Sequence, residues 1–190
     1  MRARTVGQTK AQVFDFDDTL VKTDAKVHII KDGKRFKSLT PEEYNFYTPS
    51  EGESTDMSDF VDPRIIMNAK KYKMWPALKN IDMAKKQGRS NSDIFILTAR
   101  SPKAQLPIHN FLTREGIDIP LDNVICIGND GGEYYDIAAR KKEILHDFAD
   151  EYDIVHFYDD SKKNIELANK IPGIKSRLID SQNEKIITTR

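Results

Sequence analysis

Two aspartates one residue apart, Asp15 and Asp17, close the run Gln12-Val13-Phe14-Asp15-Phe16 and open the stretch Asp17-Asp18-Thr19-Leu20. A short apolar run of this kind reads as a buried strand. Its carboxyl end therefore delivers two carboxylates to one place. In extended backbone, residues two apart face the same side. Phosphoryl transfer asks for such a pair: one carboxylate attacks phosphorus and the other handles the proton of the leaving group. Two carboxylates held this close repel unless a cation lies between them, so a hard divalent metal is expected.

Three other segments offer polar groups in comparable places. Thr98 ends the run Ile94-Phe95-Ile96-Leu97 and is followed by Ala99 and Arg100. A threonine at a strand end is, on its own, more often a cap than a ligand. Asp159 and Asp160 end the run Val155-His156-Phe157-Tyr158 and precede Ser161 and Asn164. Neighbouring strand residues point to opposite sides, so the two acids need not share a role. Either also suits the N-terminus of the helix that follows. Lys141 and Lys142 lie in the helical stretch before that strand.

The elements that must hold these groups alternate. Strands are expected at Gln12–Phe16, Asp93–Thr98, Asn123–Ile127, Asp153–Tyr158 and Ser176–Ile179. Helices are expected from Pro76, with Ala77, Ile81 and Ala84 on one face and Gly88 just past the end, over Pro107–Glu115, over Glu133–Tyr152, and after Ser161 as N-cap. Pro107 argues for a loop or kinked start after Ser101. Ile137, Ile144, Leu145 and Phe148 set the inner face of the third helix, and Lys141 lies nearer to it than Lys142. Strand–helix alternation indicates an α/β fold, a doubly wound parallel sheet with ligands at the carboxyl ends of its strands.

One stretch, 24–74, breaks the alternation. Val27–Ile30 and Arg35–Ser38, joined through Asp32-Gly33, read as a hairpin. Thr40-Pro41-Glu42-Glu43 reads as a capping box, and Ser50–Ser58 as polar loop. The stretch is taken as a flap or small cap inserted after the first strand of a single domain spanning 1–190.

With order and spacing together, the chain resembles the haloacid dehalogenase-like superfamily of phosphatases. The resemblance rests on the apolar strand with Asp15, Asp17, Thr19 and Leu20, on Thr98 at a strand end, on the lysine pair, and on Asp159-Asp160. It covers nearly the whole chain outside the insert and implies a Rossmann-like sheet. It implies Asp15 as nucleophile and Asp17 as acid and base. Thr98 and Lys141, with Ala99 and Arg100 nearby, would bind the phosphoryl group. Mg2+ would lie on Asp15, Asp17 and Asp160, with Asp159 in a supporting role, holding either the lysine or a metal-bound water. The substrate is then a phosphomonoester. The short insert and the Asp-Asp-Ser sequence are similar to polynucleotide 3′-phosphatase and RNA-repair-type members, which brings a nucleic-acid end forward as partner. A nucleotidase, a small-metabolite phosphatase and a non-catalytic binding module of the same fold are the alternatives.

Bulk properties bound these readings. The chain of 190 residues carries 30 Lys plus Arg and 30 Asp plus Glu, so net charge favours no class of partner. The single cysteine, Cys126, excludes an internal disulfide and a cysteine metal cluster; within an apolar run it reads as a small hydrophobe. No run reaches membrane-spanning length and no signal peptide is read, so a cytoplasmic setting is expected. His28, His109, His146 and His156 show no metal-pair spacing and read as structural or surface residues. Within the insert, Lys31, Lys34, Arg35 and Lys37 stand beside Phe36 and Tyr44. Such a hairpin can track a phosphate backbone, or its lysines can guard an exposed sheet edge.

Overall fold

The structure of the protein, a computed structural model, describes residues 8–44, 46–128 and 136–180, with the backbone of 186–187. Strand β1 (Lys10–Phe14) leads through a tight loop to the short β2 (Val21–Lys22). A hairpin follows, β3 (Val27–Lys31) and β4 (Lys34–Leu39), then the short helix α1 (Pro41–Tyr44) and β5 (Glu53–Asp56). A 3-10 turn at Ser58–Phe60, α2 (Pro63–Met67) and β6 (Lys70–Lys71) complete this part. The remainder alternates: α3 (Trp75–Lys86), β7 (Ser92–Thr98), α4 (Gln105–Arg114), β8 (Val124–Cys126), α5 (Ile137–Glu151), β9 (Ile154–Asp159), α6 (Lys162–Ala168), β10 (Ile174–Ile179) and β11 (Ile186–Ile187).

The main sheet runs β11-β10-β9-β1-β7-β8. All its neighbours pair in parallel except β11, which runs antiparallel to β10. The chain moves outward from β1 through β7 and β8, then crosses to the far side of β1 for β9 and β10. The order thus reverses between β1 and β9. In a doubly wound sheet this is where the loops diverge and leave a crevice.

Alternation along the strands fills both sides. Phe14, Ile94, Ile96 and Tyr158 belong to the core that takes Trp75 and Leu78 from α3 and Ile108, Phe111 and Leu112 from α4. Ala11, Val13, Phe95, Leu97, Val155 and Phe157 belong to the other core, with Leu145 and Phe148 from α5 and Ile165 and Ala168 from α6. Parallel strands covered on both faces carry continuous apolar runs, which is why these strands could be read from sequence.

Several expected boundaries move. The stretch Ser50–Ser58, read as loop, contains β5, which pairs with β3 from His28↔Asp56 to Lys31↔Glu53. Its sequence Glu-Ser-Thr-Asp has no apolar alternation, so the strand is held by its ladder to β3 and gave no periodic signal. Asn123 belongs to a 3-10 turn, not to β8, and its side chain donates to the Ile94 carbonyl at 2.8 Å. The third helix begins at Ile137, capped by the Asp136 carboxylate on the N–H groups of Ala138 and Ala139; Glu133–Tyr135 lie outside the described residues. Helix α4 starts at Gln105 after a 3-10 turn. Pro107 sits in its first turn, where a missing N–H costs no helical bond. The buried face of α3 is Trp75, Leu78 and Asp82, with Ala77 and Ile81 at its margin.

The insert leaves and returns through one neck, the antiparallel pair β2–β6. Tyr72 and Met74 N–H groups reinforce it by donating to the Leu20 and Thr19 carbonyls at 2.7 and 3.1 Å. Beyond the neck lies a three-stranded sheet, β4-β3-β5. Its Asp32-Gly33 turn has φ of 51° and 70°, the left-handed pair that suits a two-residue hairpin. The capping box forms as read: Thr40 N–H donates to Glu43 Oε2 at 2.7 Å and Glu43 N–H to Thr40 Oγ1 at 3.2 Å. Among the described residues no helix is long and apolar enough to cross a membrane.

Gly128 has a specific task at the carboxyl ends of the strands. Its N–H donates to the Arg100 carbonyl at 2.9 Å. A Cβ placed there would lie 2.1 Å from the Ala99 carbonyl oxygen. Only glycine lets the loop after β8 cross so close to the loop after β7. Gly128→Ala should therefore destabilise the protein by about 1–3 kcal/mol in urea unfolding, the usual cost of overpacking. It should also displace the loop that carries Arg100.

Candidate active site

The alternation that places Ala11 and Val13 against α5 continues to Asp15. Its N–H donates to the Tyr158 carbonyl at 2.9 Å, extending the pairing of β1 with β9 by one residue. Lys141 stands one helical turn before Leu145 on the inner face of α5, and both are buried. The Lys141 ammonium donates to Asp15 Oδ1 at 2.6 Å and to Asp159 Oδ2 at 2.7 Å. Lys141, rather than Lys142, makes this bridge.

Asp159 is fully buried and saturated with donors. Besides Lys141, it accepts from the Ser161 N–H at 2.8 Å and from Asn164 Nδ2 at 3.0 and 2.9 Å on its two oxygens. Ser161 caps α6 through its hydroxyl. Asp159 therefore orients the lysine and ties α6 to it. Asn164 is a positioning residue to which the sequence assigned no task, although its place three residues after the Ser161 cap was visible.

Asp17 turns the other way. Its Oδ2 and Oδ1 accept from Arg100 Nε at 2.7 Å and from an Arg100 terminal nitrogen at 2.8 Å, a two-pronged ion pair. The guanidinium also donates to Thr23 Oγ1 at 3.1 Å and to the Phe60 carbonyl. It lies between the rings of Phe16 and Phe60, 5.6 and 5.5 Å from their centroids. Arg100 is buried, so the structure directs it to Asp17 and to the insert. Thr98 is buried at the end of β7, and its Oγ1 accepts the Arg100 N–H at 3.3 Å. Ala99 is exposed beside it.

The charges do not balance locally. Burial pulls the Lys141 ammonium toward its neutral form, but Asp15 and Asp159 overcome this and raise its pKa. Burial pushes the Asp15 carboxyl up; Lys141 opposes the shift, and Asp159 and Asp160 add to it. Asp160 is pushed up to about 7 by burial and by the nearby Asp159 and Asp18 carboxylates. Asp18, with φ of 54°, is itself raised by burial, with Lys22 at 3.7 Å opposing. One buried ammonium thus faces several carboxylates. Such an oxygen-rich, electron-rich set fits a hard divalent cation. Among the described residues no three His, Cys, Asp or Glu side chains form a ready cage. An ion here would draw on two carboxylates, Asp15 and Asp160, with backbone and solvent oxygens.

The remaining polar residues take structural places. His28 joins Ser38 at 2.7 Å and faces Asp59 at 3.1 Å, locking the hairpin to the 3-10 turn. His109 meets the Ile119 carbonyl at 3.0 Å, and His146 faces Asp150 on the surface of α5 at 3.6 Å. Burial lowers the pKa of His156 in β9, with Lys175, Arg177 and Lys10 adding to the shift. Burial pushes the Cys126 thiol up to about 12, which keeps it un-ionised.

No protein-family model matches the chain, and no curated protein matches it. Solved structures do. A chain of the Pnkp1/Rnl/Hen1 complex aligns over 93% of this chain and 48% of its own length, with 18% identity and a TM-score of 0.50. A chain of the Pnkp1/Rnl/Hen1 RNA repair complex aligns over 87% and 40%, with 17% identity and a TM-score of 0.48. A HAD-superfamily hydrolase from Geobacter sulfurreducens aligns over 92% and 89%, with 13% identity and a TM-score of 0.46. This chain spans less than half the length of the first two. At these identities the likeness bears on the fold alone. The fold is a Rossmann-like, doubly wound α/β fold.

Two measurements check the electrostatics. Lys141→Met leaves Asp15 and Asp159 buried without a counter-charge and should cost about 3–5 kcal/mol in urea unfolding at neutral pH. Asp160 has a folded-state pKa of about 7, above its unfolded value of 3.8. The folded protein therefore holds a proton between those values that the unfolded chain has released. That contribution to stability is complete below about pH 4 and is lost as the pH rises through 7. Asp160→Asn does not titrate. Without divalent ions, its melting temperature should exceed that of the wild type by more at pH 8 than at pH 5.

Proposed function

We propose that the protein is a Mg2+-dependent phosphomonoester hydrolase that works through a phosphorylated Asp15. One observation carries this reading: buried Lys141 bridges Asp15 and Asp159 at the reversal of strand order. A lysine clamped to a nucleophile in a water-poor crevice neutralises charge as a phosphoryl group approaches. It carries three N–H groups, and Asp15 and Asp159 engage two of them.

Asp15 attacks phosphorus in line, its carboxylate oxygen forming the new bond as the bond to the departing alcohol breaks. Asp17, protonated at the start of the step, gives its proton to the oxygen of the departing alcohol. It then takes a proton from water, which attacks phosphorus and breaks the bond to Asp15, releasing phosphate and restoring the carboxylate. Both Asp17 oxygens bond to Arg100, yet each keeps a further lone pair for this exchange. Arg100 acts as a positioning residue that aims Asp17. The Thr98 hydroxyl accepts the Arg100 N–H, so its own hydrogen is available for a phosphoryl oxygen. Mg2+ held by Asp15, Asp160 and the Asp17 carbonyl would offset the charge of the phosphoryl oxygens.

Hydrolysis of a generic aryl phosphate with and without Mg2+ tests the reading. Asp15→Asn should reduce turnover by at least about 10³-fold with an unchanged circular dichroism spectrum. Asp17→Asn should lower it by about 10²–10⁴-fold. Because Asp17 also serves the second step, acid-quenched Asp17→Asn protein should carry added phosphoryl mass on the peptide containing Asp15. Wild-type turnover by Asp15→Asn would rule out the covalent route.

A further inference from the structure

The hairpin β3–β4 carries a surface that the chemistry above leaves unused. Lys31, Lys34, Arg35 and Lys37, against the single acid Asp32, concentrate positive charge within residues 31–37 of a chain with no net charge. Phe36 stands among them with 58% of its surface exposed. The Lys31 and Lys37 ammonium groups lie 5.5 and 5.8 Å from its ring centroid, and Lys37 lies 3.9 Å from the Tyr47 ring. Lys31, Asp32, Lys34, Arg35 and Phe36 line a concavity of about 360 Å³. Two further acids stand near it: Glu53, 3.9 Å from Lys31 with its side chain almost wholly buried, and Asp56, whose carboxylate feels the charge of Arg35.

Lysines on an edge strand can serve to discourage sheet-to-sheet pairing. That task does not call for a solvent-facing ring set between two ammonium groups. A ring to stack on, with cations along the same strand, is the combination that holds single-stranded nucleic acid. A duplex keeps its bases stacked inside, and a sugar phosphate has no base to offer.

The hairpin is also tied to the catalytic groups. The Lys26 N–H donates to Asp59 at 3.0 Å, and His28 faces the same carboxylate. The next residue, Phe60, accepts from the Arg100 that grips Asp17. Strand β3 has five residues and so spans about 17 Å, a reach of a few nucleotides.

Resting on the phosphomonoesterase reading, the geometry points to a single-stranded nucleic acid with a terminal phosphate as the substrate class. A base of the strand stacks on Phe36, and its internal phosphates meet Lys34 and Arg35.

The test uses the full chain and a fluorescein-labelled, 3′-phosphorylated oligothymidylate about a dozen nucleotides long, within the site size of such grooves. A second arm carries the phosphate at the 5′ end. Binding is read by anisotropy across a salt series, beside kcat/KM for phosphorylated mono-, di- and longer thymidylates and for an aryl phosphate. The variant is Lys34→Ala/Arg35→Ala/Phe36→Ala, three exposed positions outside the catalytic set. Its binding should weaken by about tenfold or more, and its salt slope should flatten by about 1.4, or 0.7 for each lost phosphate contact. Wild-type kcat/KM should rise with strand length and the variant's should not, with aryl phosphate turnover unchanged in both. The arm that shows this rise identifies which end is processed. No binding, equal binding by the variant, or equal displacement by polyglutamate would overturn the inference. If hairpin-dependent binding persists but the wild type turns over no aryl phosphate, the catalytic reading falls and the nucleic-acid surface stands.

Discussion

An ammonium group buried between two carboxylates is the constraint on which the rest of the site depends. Lys141 is almost wholly buried and needs anions within hydrogen-bonding distance. Asp15 and Asp159 provide them from two adjacent strands, β1 and β9, while the lysine comes from the helix that packs on both. Three elements distant in sequence are thereby fixed to within a bond length. Asn164 and the Ser161 N–H complete Asp159, so the lysine's partner is itself held by α6. The crevice at the reversal of strand order is thus a defined charge arrangement rather than a gap between loops.

A second ion pair organises the opposite wall. Arg100 leaves β7 and meets Asp17 from the loop after β1, Thr23 near the neck, and Phe60 from the insert. The insert therefore contributes to the site without supplying one of its acids. Its neck strands and the Phe60 carbonyl anchor it to the rest of the fold, while Asp59 ties its own hairpin to the 3-10 turn. Gly128 permits the close crossing that keeps the Arg100 loop in place.

Much of this was legible in the sequence where burial leaves a periodic trace. The strands with apolar runs were visible, and so were the acids and the threonine at their ends, because a two-sided parallel sheet imposes continuous hydrophobicity. Lys141 could be chosen over Lys142 because its side of α5 is the apolar side. Strand β5 was not legible, since polar residues paired only by backbone hydrogen bonds leave no periodicity. The destination of Arg100 was not legible either. It depends on Asp17 and Phe60 meeting in space, and neither a strand pattern nor a spacing records that. Gly128 looked like any loop glycine until the backbone passing beneath it was known.

The raised pKa of Asp160 has an outcome for how the site would fill. Near neutrality, part of the apo population carries a hydrogen on that carboxylate. On the proposed reading, loading the ion is an exchange: a divalent cation enters and a proton leaves. Occupancy would then follow the acidity of the surroundings as well as the concentration of the ion.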